Sequence, residues 1–460
     1  MSSFETCRAL GSLEADCALR HDMHFYENAA VSATYHMEHP FSDVTQLLIR
    51  KACQDLVEQH PILSTFPWKD DEGKLVYRRP SEIDLTKMIF VHERKMKKSD
   101  IKEEDSELET LLQVQHNLSF SPPLPFWRLC ILHDPLDNTE FTACFVFHHS
   151  IADGTSGMIF HASFLRALEN CKSKDDLGNG LFEPKEQPLL PSLEDLAPKG
   201  SYGVSTASEI VESESVSESS VWKAASIMPP SDTQIRLMTI DNMASSSLAK
   251  RCRAESTTVT AALQTIIACA FFDHIPRGFT AVRSSVPYSA RRLLSPNTPQ
   301  DSIGVWIGEI KDEYHREATA THSEFPWDEA RRSRQTIEAT LSRVFNDHAS
   351  STKEFDYDKN ERTLLSKIGQ SRGSTFELSN IGRLATKDLD NEGSKFPFIG
   401  RMFLTQACSV SGSAVEISVV TGGDGCLTLT FAWQTGVVSA DLMDSVRASV
   451  LNKIHEITQE

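Results

Sequence analysis

The sequence of 460 residues lacks several features that mark common classes of protein. Its ten cysteines include no C-x-x-C pair, which excludes the usual signature of a structural zinc site or a dithiol redox centre. No apolar run approaches the roughly 20 residues that span a bilayer. The N-terminal segment also lacks the basic and then apolar layout of a secretory signal. We therefore expect a cytoplasmic protein without stable membrane insertion.

Positive charge is scarce as well. The chain has 46 Lys and Arg against 64 Asp and Glu, which gives a formal net charge of -18. It carries no concentrated basic stripe, and phosphate binding needs clustered Lys and Arg. A nucleic-acid partner is therefore excluded.

The length predicts more than one domain, because single hydrophobic cores rarely grow beyond roughly 250 residues. We expect an N-terminal lobe at 1–170, a crossover linker at 171–230 and a C-terminal lobe at 231–460. In the linker Pro, Ser and Glu dominate, and 205–220 is almost an acidic-serine tract. A helix is predicted at 43–58, where apolar residues recur at helical spacing behind a capping serine.

A buried-type strand that ends on two histidines is the most informative segment of the chain. Residues 141–147 are mostly aromatic or apolar, and Met158–Leu168 carries apolar residues at helical spacing. The pattern predicts a strand, a junction at His148 and His149, and then a helix. Because side chains alternate along a strand, the two imidazoles are expected to point to opposite sides. One of them can then face a cleft.

Four residues of this segment, His148, His149, Asp153 and Gly154, resemble the His-His-x-x-x-Asp-Gly motif of the CoA-dependent acyltransferase superfamily. The superfamily includes chloramphenicol acetyltransferase, the condensation domains of peptide synthetases, plant BAHD acyltransferases and fungal alcohol acetyltransferases. The chain is most similar to the last group, and the similar segments are Leu10–Glu14, His60–Leu63, Ser379–Gly382 and Cys426–Trp433.

The resemblance implies the fold and the reaction. The expected fold is α/β, with two chloramphenicol-acetyltransferase-like lobes, each of mixed sheet and flanking helices, around a central tunnel. Acyl-CoA, typically acetyl-CoA, is the implied co-substrate, and the implied acceptor is a small apolar alcohol of secondary metabolism. No metal and no permanently bound cofactor is expected, and we expect a monomer.

The same resemblance assigns roles to the motif residues. Transfer of an acyl group from a thioester to an alcohol needs a base for the hydroxyl proton and an acid for the leaving thiolate, and one histidine can do both. The second histidine of the motif, His149, is the implied base. His148 is expected to support the site by packing and hydrogen bonding.

Asp153 and Gly154 have both local and longer-range interpretations. Asp153 is suited to cap the helix that follows, and in the superfamily this carboxylate also pairs with an arginine from the other half. Arg291 is the better-aligned partner, and Arg292 is expected at the surface. Gly154 serves either as a turn residue or as open space beside the imidazole.

Four further residues are predicted to line the tunnel. Ser379, Asn380 and Gly382 belong to a segment that runs along the tunnel in the family, although an ordinary turn explains them equally well. Trp306 either lines the acceptor pocket or packs in the core.

Several other functions compete with the O-acyltransferase interpretation. A condensation-type enzyme would use an amine or a carrier-bound substrate, and a non-catalytic relative would only bind a ligand. A metal-dependent hydrolase is disfavoured because the histidines lack an H-E-x-x-H arrangement. A serine hydrolase is disfavoured because no G-x-S-x-G elbow occurs in the chain.

Overall fold

The computed structural model of the chain describes residues 4–95, 104–135, 139–170, 180–196, 217–294, 298–319, 324–346, 355–384 and 396–459. The greater part of the acidic-serine tract, up to residue 216, lies outside the described residues.

The described residues form strands and helices throughout both halves of the chain. The strands are β1 Phe4–Ala9, β2 Ala29–His36, β3 Phe66–Lys69, β4 Leu75–Pro80, β5 Ile83–Asp84, β6 Ile89–Glu93, β7 Trp127–His133, β8 Glu140–Phe147, β9 Leu181–Phe182, β10 Thr233–Ile240, β11 Ala281–Ser289, β12 Ile307–His315, β13 Phe376–Arg383, β14 Phe398–Gln406, β15 Val415–Thr421 and β16 Leu427–Gln434. The helices are α1 Ser12–Asp22, α2 Asp43–Gln59, α3 Ser106–His116, α4 Gly154–Asn170, α5 Leu193–Leu196, α6 Asn242–Ala254, α7 Val259–His274, α8 Arg316–Thr319, α9 Trp327–Asn346, α10 Tyr357–Ser366 and α11 Ala440–Gln459.

The first large sheet has five strands in the order β14-β2-β8-β7-β6, and β7 and β8 are paired antiparallel. The helix predicted at 43–58 is confirmed as α2, and the Ser42 hydroxyl accepts a hydrogen bond from the Thr45 N–H at its start. Helix α4 contacts both α2 and β2. The ring of Phe145 on β8 stacks on that of Phe160 on α4, with centroids 3.8 Å apart. This stacking holds α4 against the strand that precedes it.

The second large sheet has six strands in the order β10-β16-β15-β13-β11-β12. One of its faces is apolar and packs in a single core with α7 and α11; its residues include Phe376, Leu378, Val415, Ile417 and Val419. Alternate side chains of these strands lie on the other face of the sheet. At β10 that other face is also apolar, and Ile235 and Leu237 belong to the core of the first sheet. The second sheet therefore turns this inner face toward the N-terminal half.

The two halves of the chain share a strand. Strand β14 comes from the predicted C-terminal lobe at 231–460, yet it pairs antiparallel with β2 at the edge of the first sheet. Hydroxyls of Thr428 and Thr430 on β16 donate to the carbonyl oxygens of Met402 and Leu404 on β14. This crossing ties both sheets together next to the end of β8. The domain boundaries themselves stay a prediction.

None of the helices in the described part of the chain is long and apolar enough to cross a membrane. Helices α6 and α7 reach that length and apolarity only when taken together, and the pair is bent by 102°.

Candidate active site

The two histidines of the motif lie directly after β8 in very different surroundings. His148 is 1% exposed; its Nδ1 accepts a hydrogen bond from the Ser150 N–H at 2.9 Å, and its ring lies 4.6 Å from that of His21. His149 is partly exposed although both of its neighbours in the chain are buried. Its ring centroid lies 5.8 Å from that of Tyr26. Of the two imidazoles, only that of His149 therefore keeps exposed surface.

The surroundings of His149 favour its neutral form. Burial lowers the pKa of the imidazole, the nearby Arg20 guanidinium lowers it further, and the Asp153 carboxylate acts in the opposite direction. The same guanidinium lies over the Tyr26 ring, 5.5 Å from its centroid. A hydrogen bond of the ring to the backbone of His149 itself also acts to raise the pKa. A neutral imidazole is the form that can accept a proton.

Asp153 connects the loop after β8 to the C-terminal half. Its Oδ1 accepts from the Ser156 N–H at 2.7 Å, which caps α4. Its Oδ2 accepts from Arg291 Nη1 at 2.8 Å and from the Trp306 N–H at 3.1 Å. The carboxylate is 0% exposed, so this ion pair is removed from solvent. Its geometry fixes the loop that carries His149.

Arg291 is held from several sides. Its Nη2 donates to the Ser156 hydroxyl at 2.9 Å, and its guanidinium lies 4.9 Å from the centre of the Trp306 ring. Trp306 is 3% exposed and packs in a small core with Leu193 and Leu294, among others. The structure thus brings Trp306 to the ion pair, and its predicted role in an acceptor pocket stays a prediction. Arg292 is exposed.

Gly154 lies where the loop meets β13. A Cβ built on it would be 2.6 Å from the Cγ2 of Ile381. Any larger residue would therefore push β13 away from the loop. The need for glycine here comes from close packing between the two halves.

The predicted tunnel residues on β13 point in different directions. Ser379 donates to a Glu377 carboxylate oxygen at 3.1 Å, on the inner face of the sheet. Asn380 points the other way, and its amide donates to the Thr260 hydroxyl at the start of α7 at 3.0 Å. Gly382 has a φ of +84° and its N–H donates to Asn380 Oδ1, so glycine suits this left-handed turn. Of the three, only Ser379 shares the inner face with Glu377.

A pair of buried carboxyl groups on the same face did not appear among the sequence-based candidates. Glu377 on β13 is directly opposite Glu416 on β15. Burial raises the pKa of Glu377 to about 7, with further upward effects from Glu309, and it raises that of Glu416 well above the ordinary range. Both strands read apolar-Glu-apolar-Ser, at 376–379 and 415–418. This repeated pattern is the signal by which the pair could have been found.

Tyr26 and Arg20 were also missed as site residues. The Tyr26 hydroxyl donates to Gln406 Oε1 at 3.0 Å, and Gln406 Nε2 donates to Glu377 Oε1 at 3.2 Å. Burial raises the pKa of Tyr26, and the carboxyls of Glu377 and Glu416 add to that effect. A lone tyrosine before β2 carries no local sequence signal for such contacts.

A cleft lies beside the aromatic rings that contact His148, and neither motif histidine lines it. It has a cavity volume of about 290 Å³ and is lined by His21, Phe120 and Phe126, whose rings surround the His148 ring. Within the described residues no group of three or more His, Cys, Asp or Glu side chains has the arrangement of a metal site.

Comparison with known proteins assigns the chain to a class. A sequence profile of the family described as alcohol acetyltransferase matches residues 9–445. The chain therefore belongs to the alcohol acetyltransferase family. The family, the α/β fold and the CoA-dependent O-acyltransferase activity predicted from the sequence are confirmed, with acyl-CoA as the co-substrate.

Individual relatives agree with this assignment. The chain is 32% identical over 459 residues to a probable alcohol acetyltransferase, crmB, of Aspergillus fumigatus, covering 96% of this chain and 97% of the relative. Among solved structures it is similar to the TRI3 trichothecene 15-O-acetyltransferase of Fusarium sporotrichioides, with a TM-score of 0.71, 13% identity and coverage of 99% and 95% of the two chains. The first condensation domain of the CDA synthetase matches with a TM-score of 0.64 at 10% identity, with coverage of 98% and 96%.

Proposed function

We propose that this enzyme transfers an acetyl or another short acyl group from acyl-CoA to a hydroxyl of a small secondary-metabolite alcohol, with His149 as the general base. The observation that carries the proposal is the accessibility of this one imidazole between two buried neighbours. Two similar proteins support the acyl group and the acceptor: one is named a probable alcohol acetyltransferase and the other a trichothecene 15-O-acetyltransferase.

The proposed reaction needs one proton relay. Neutral His149 takes the hydroxyl proton of the acceptor as its oxygen attacks the thioester carbonyl. The C–S bond of the tetrahedral intermediate then breaks, and the imidazolium returns the proton to the departing CoA thiolate. The lowered pKa of His149 supports the first step, because the base is unprotonated at neutral pH, and it makes the imidazolium a strong acid for the last step.

The other motif residues position this base in the proposed mechanism. Asp153 and Arg291 hold the loop through their ion pair, and His148 anchors the end of β8 through its contact with the Ser150 N–H. Gly154 lets β13 approach the loop. None of these residues needs to exchange a proton with the substrate, so each is a positioning residue in the proposal.

The tunnel residues are assigned by their direction. Ser379 is proposed to face the acceptor, whereas Asn380 and Gly382 shape the turn at the end of β13. Trp306 is proposed to act through Arg291, on which it packs. The monomeric state and the cytoplasmic location predicted from the sequence stay predictions.

The test is a screen for CoA release from acetyl-CoA with alcohols of increasing size and with amines of matched size. The proposal predicts CoA release that depends on the alcohol, with the acetyl ester identified by mass spectrometry. Release with amines alone would instead support a condensation-type reaction. Binding of alcohols without any CoA release would support a non-catalytic binding protein.

A further inference from the structure

The inner face of the second sheet is polar at one place, next to the candidate active site. In the parallel pairing of β13 and β15, Glu377 lies opposite Glu416 and Ser379 opposite Ser418. The residues between them belong to the apolar core on the other face. All four polar side chains therefore project from the same patch of sheet.

This polar patch runs alongside the loop that carries His149. At one end, Gln406 bridges Glu377 and Tyr26, whose ring is 5.8 Å from that of His149. At the other end of the same face, Ile381 packs against Gly154. Both contacts involve neighbours of the proposed base: Tyr26 beside its ring and Gly154 in the loop that carries it.

Two polar atoms of the patch have no hydrogen-bond partner within the part of the chain that the structure describes. They are Glu416 Oε2 and Ser418 Oγ, and the two residues are 3% and 1% exposed. Glu377 Oε1, in contrast, accepts from both Ser379 and Gln406. Buried polar atoms normally have partners, so an unpaired hydroxyl beside an unpaired carboxyl oxygen indicates a place for a ligand.

The positive charges that the structure describes around the patch do not form ion pairs with Glu377 and Glu416. Two arginines act on the pair, Arg20 on both carboxyls and Arg372 on Glu416, but neither forms an ion pair with them in the described structure. The Nη1 and Nη2 of Arg372 donate instead to the Ser409 and Ser413 carbonyls and to Gln434 Oε1. Burial raises the pKa values of both carboxyls; Glu309 adds to the effect on Glu377, and Glu377 adds to the effect on Glu416. At neutral pH the pair therefore keeps at least one proton and can both donate and accept hydrogen bonds.

We propose that Glu377, Glu416 and Ser418 form a subsite that binds a second hydrogen-bond-donating group of the acceptor, a hydroxyl or an ammonium separate from the hydroxyl that is acylated. This inference rests on the proposed function, because it places the acceptor beside His149. The acceptor would then carry a second polar group, in contrast to the apolar alcohol expected from the sequence.

The experiment compares acceptors that share one carbon chain. The probes are 1-hexanol, 1,2-, 1,4- and 1,6-hexanediol, and 6-(dimethylamino)-1-hexanol, whose tertiary amine gives no stable amide. We expect kcat/KM for at least one probe with a second polar group to exceed that of 1-hexanol by about tenfold, well beyond the twofold gain that two equivalent hydroxyls would give. A preference for diols identifies a hydroxyl as the bound group, and a preference for the amino alcohol identifies an ammonium.

Variants then locate the subsite. Glu416→Gln and Ser418→Ala are expected to lower the ratio of kcat/KM values, polar probe over 1-hexanol, by about fivefold or more. Ser418→Ala is the smaller change and tests the subsite even where Glu416→Gln does not fold. The control Glu82→Gln changes an exposed carboxylate in the turn between β4 and β5 and leaves the ratio unchanged.

Two results would overturn the inference while leaving the proposed function intact. One is efficient acetylation of 1-hexanol with a ratio no greater than two for every polar probe. The other is a wild-type preference that Ser418→Ala and a folded Glu416→Gln both retain in full. Absence of CoA release with every alcohol, including the larger ones of the general screen, would overturn the proposed function itself and this subsite with it.

Discussion

Removal of the Asp153 carboxylate is the sharpest structural test of how the His149 loop is held. In Asp153→Ala, the Arg291 guanidinium loses its only described carboxylate, and the N–H groups of Ser156 and Trp306 lose their acceptor. Breaking a buried ion pair costs about 3–5 kcal/mol, and losing a helix cap costs about 1 kcal/mol. We therefore expect the free energy of unfolding to fall by about 4–6 kcal/mol.

The assay is urea unfolding followed by circular dichroism, with Asp241→Ala as the matched control. Asp241 caps α6 by accepting from the Ala244 N–H at 2.8 Å, but it is exposed and has no arginine partner in the described structure. Its loss should cost only about 1 kcal/mol. Asp153→Asn keeps an acceptor for the cap and should fall between the two. Equal losses for Asp153→Ala and Asp241→Ala would refute the reasoning, because the ion pair would then contribute nothing.

Three further predictions follow from packing and protonation. First, kcat/KM should fall only below about pH 6.5, because the lowered pKa of His149 keeps its imidazole unprotonated above that pH. Second, Gly154→Ala should slow turnover and lower the melting temperature, and Ile381→Ala in the same chain should restore part of both, since it removes the atom that the new Cβ would strike. Third, burial lowers the pKa of His116 to about 3 and that of His161 to about 4. The unfolded chain therefore takes up protons below about 6.5 that the native protein cannot, and each histidine should cost about 2 kcal/mol of stability between pH 6.5 and 5, measurable by urea unfolding.

Each of these has a clear contrary result. An acid limb of the pH profile that begins above pH 7 would contradict the lowered pKa of His149. A double variant no more active than Gly154→Ala alone would show that Ile381 is not the obstacle. The raised pKa values of Glu377 and Glu416 act in the opposite direction over this range, so the comparison is with a folded His161→Gln variant; the same pH dependence of the free energy of unfolding in wild type and variant would contradict the protonation argument.

Local pattern was enough to predict the elements around the site. The periodicity of 43–58 and the apolar run at 141–147 correspond to α2 and β8, because each element is specified by its own residues. The motif and its resemblance to a family indicated Asp153 and Arg291, and the structure brings these two side chains together. The roles of these residues in catalysis stay predictions until they are tested.

Long-range pairing could not be predicted in the same way. Nothing in the sequence of β14 indicates that it pairs with β2, which lies more than 360 residues earlier in the chain. The carboxyl pair of Glu377 and Glu416 depends on the register between β13 and β15, which forms only in the folded sheet. The opposite directions of Ser379 and Asn380 follow from alternation along one strand, whereas their roles at the tunnel stay predictions.

The most direct test of the central claim is the rate of CoA release from acetyl-CoA by His149→Ala, with an alcohol that the wild type acetylates. The matched control is His39→Ala, which removes an exposed imidazole after β2. The proton relay predicts a loss of at least about 10²-fold in kcat/KM for His149→Ala, with unchanged circular dichroism and wild-type activity in the control. Activity of His149→Ala within about tenfold of the wild type would contradict the assignment of this imidazole as the base.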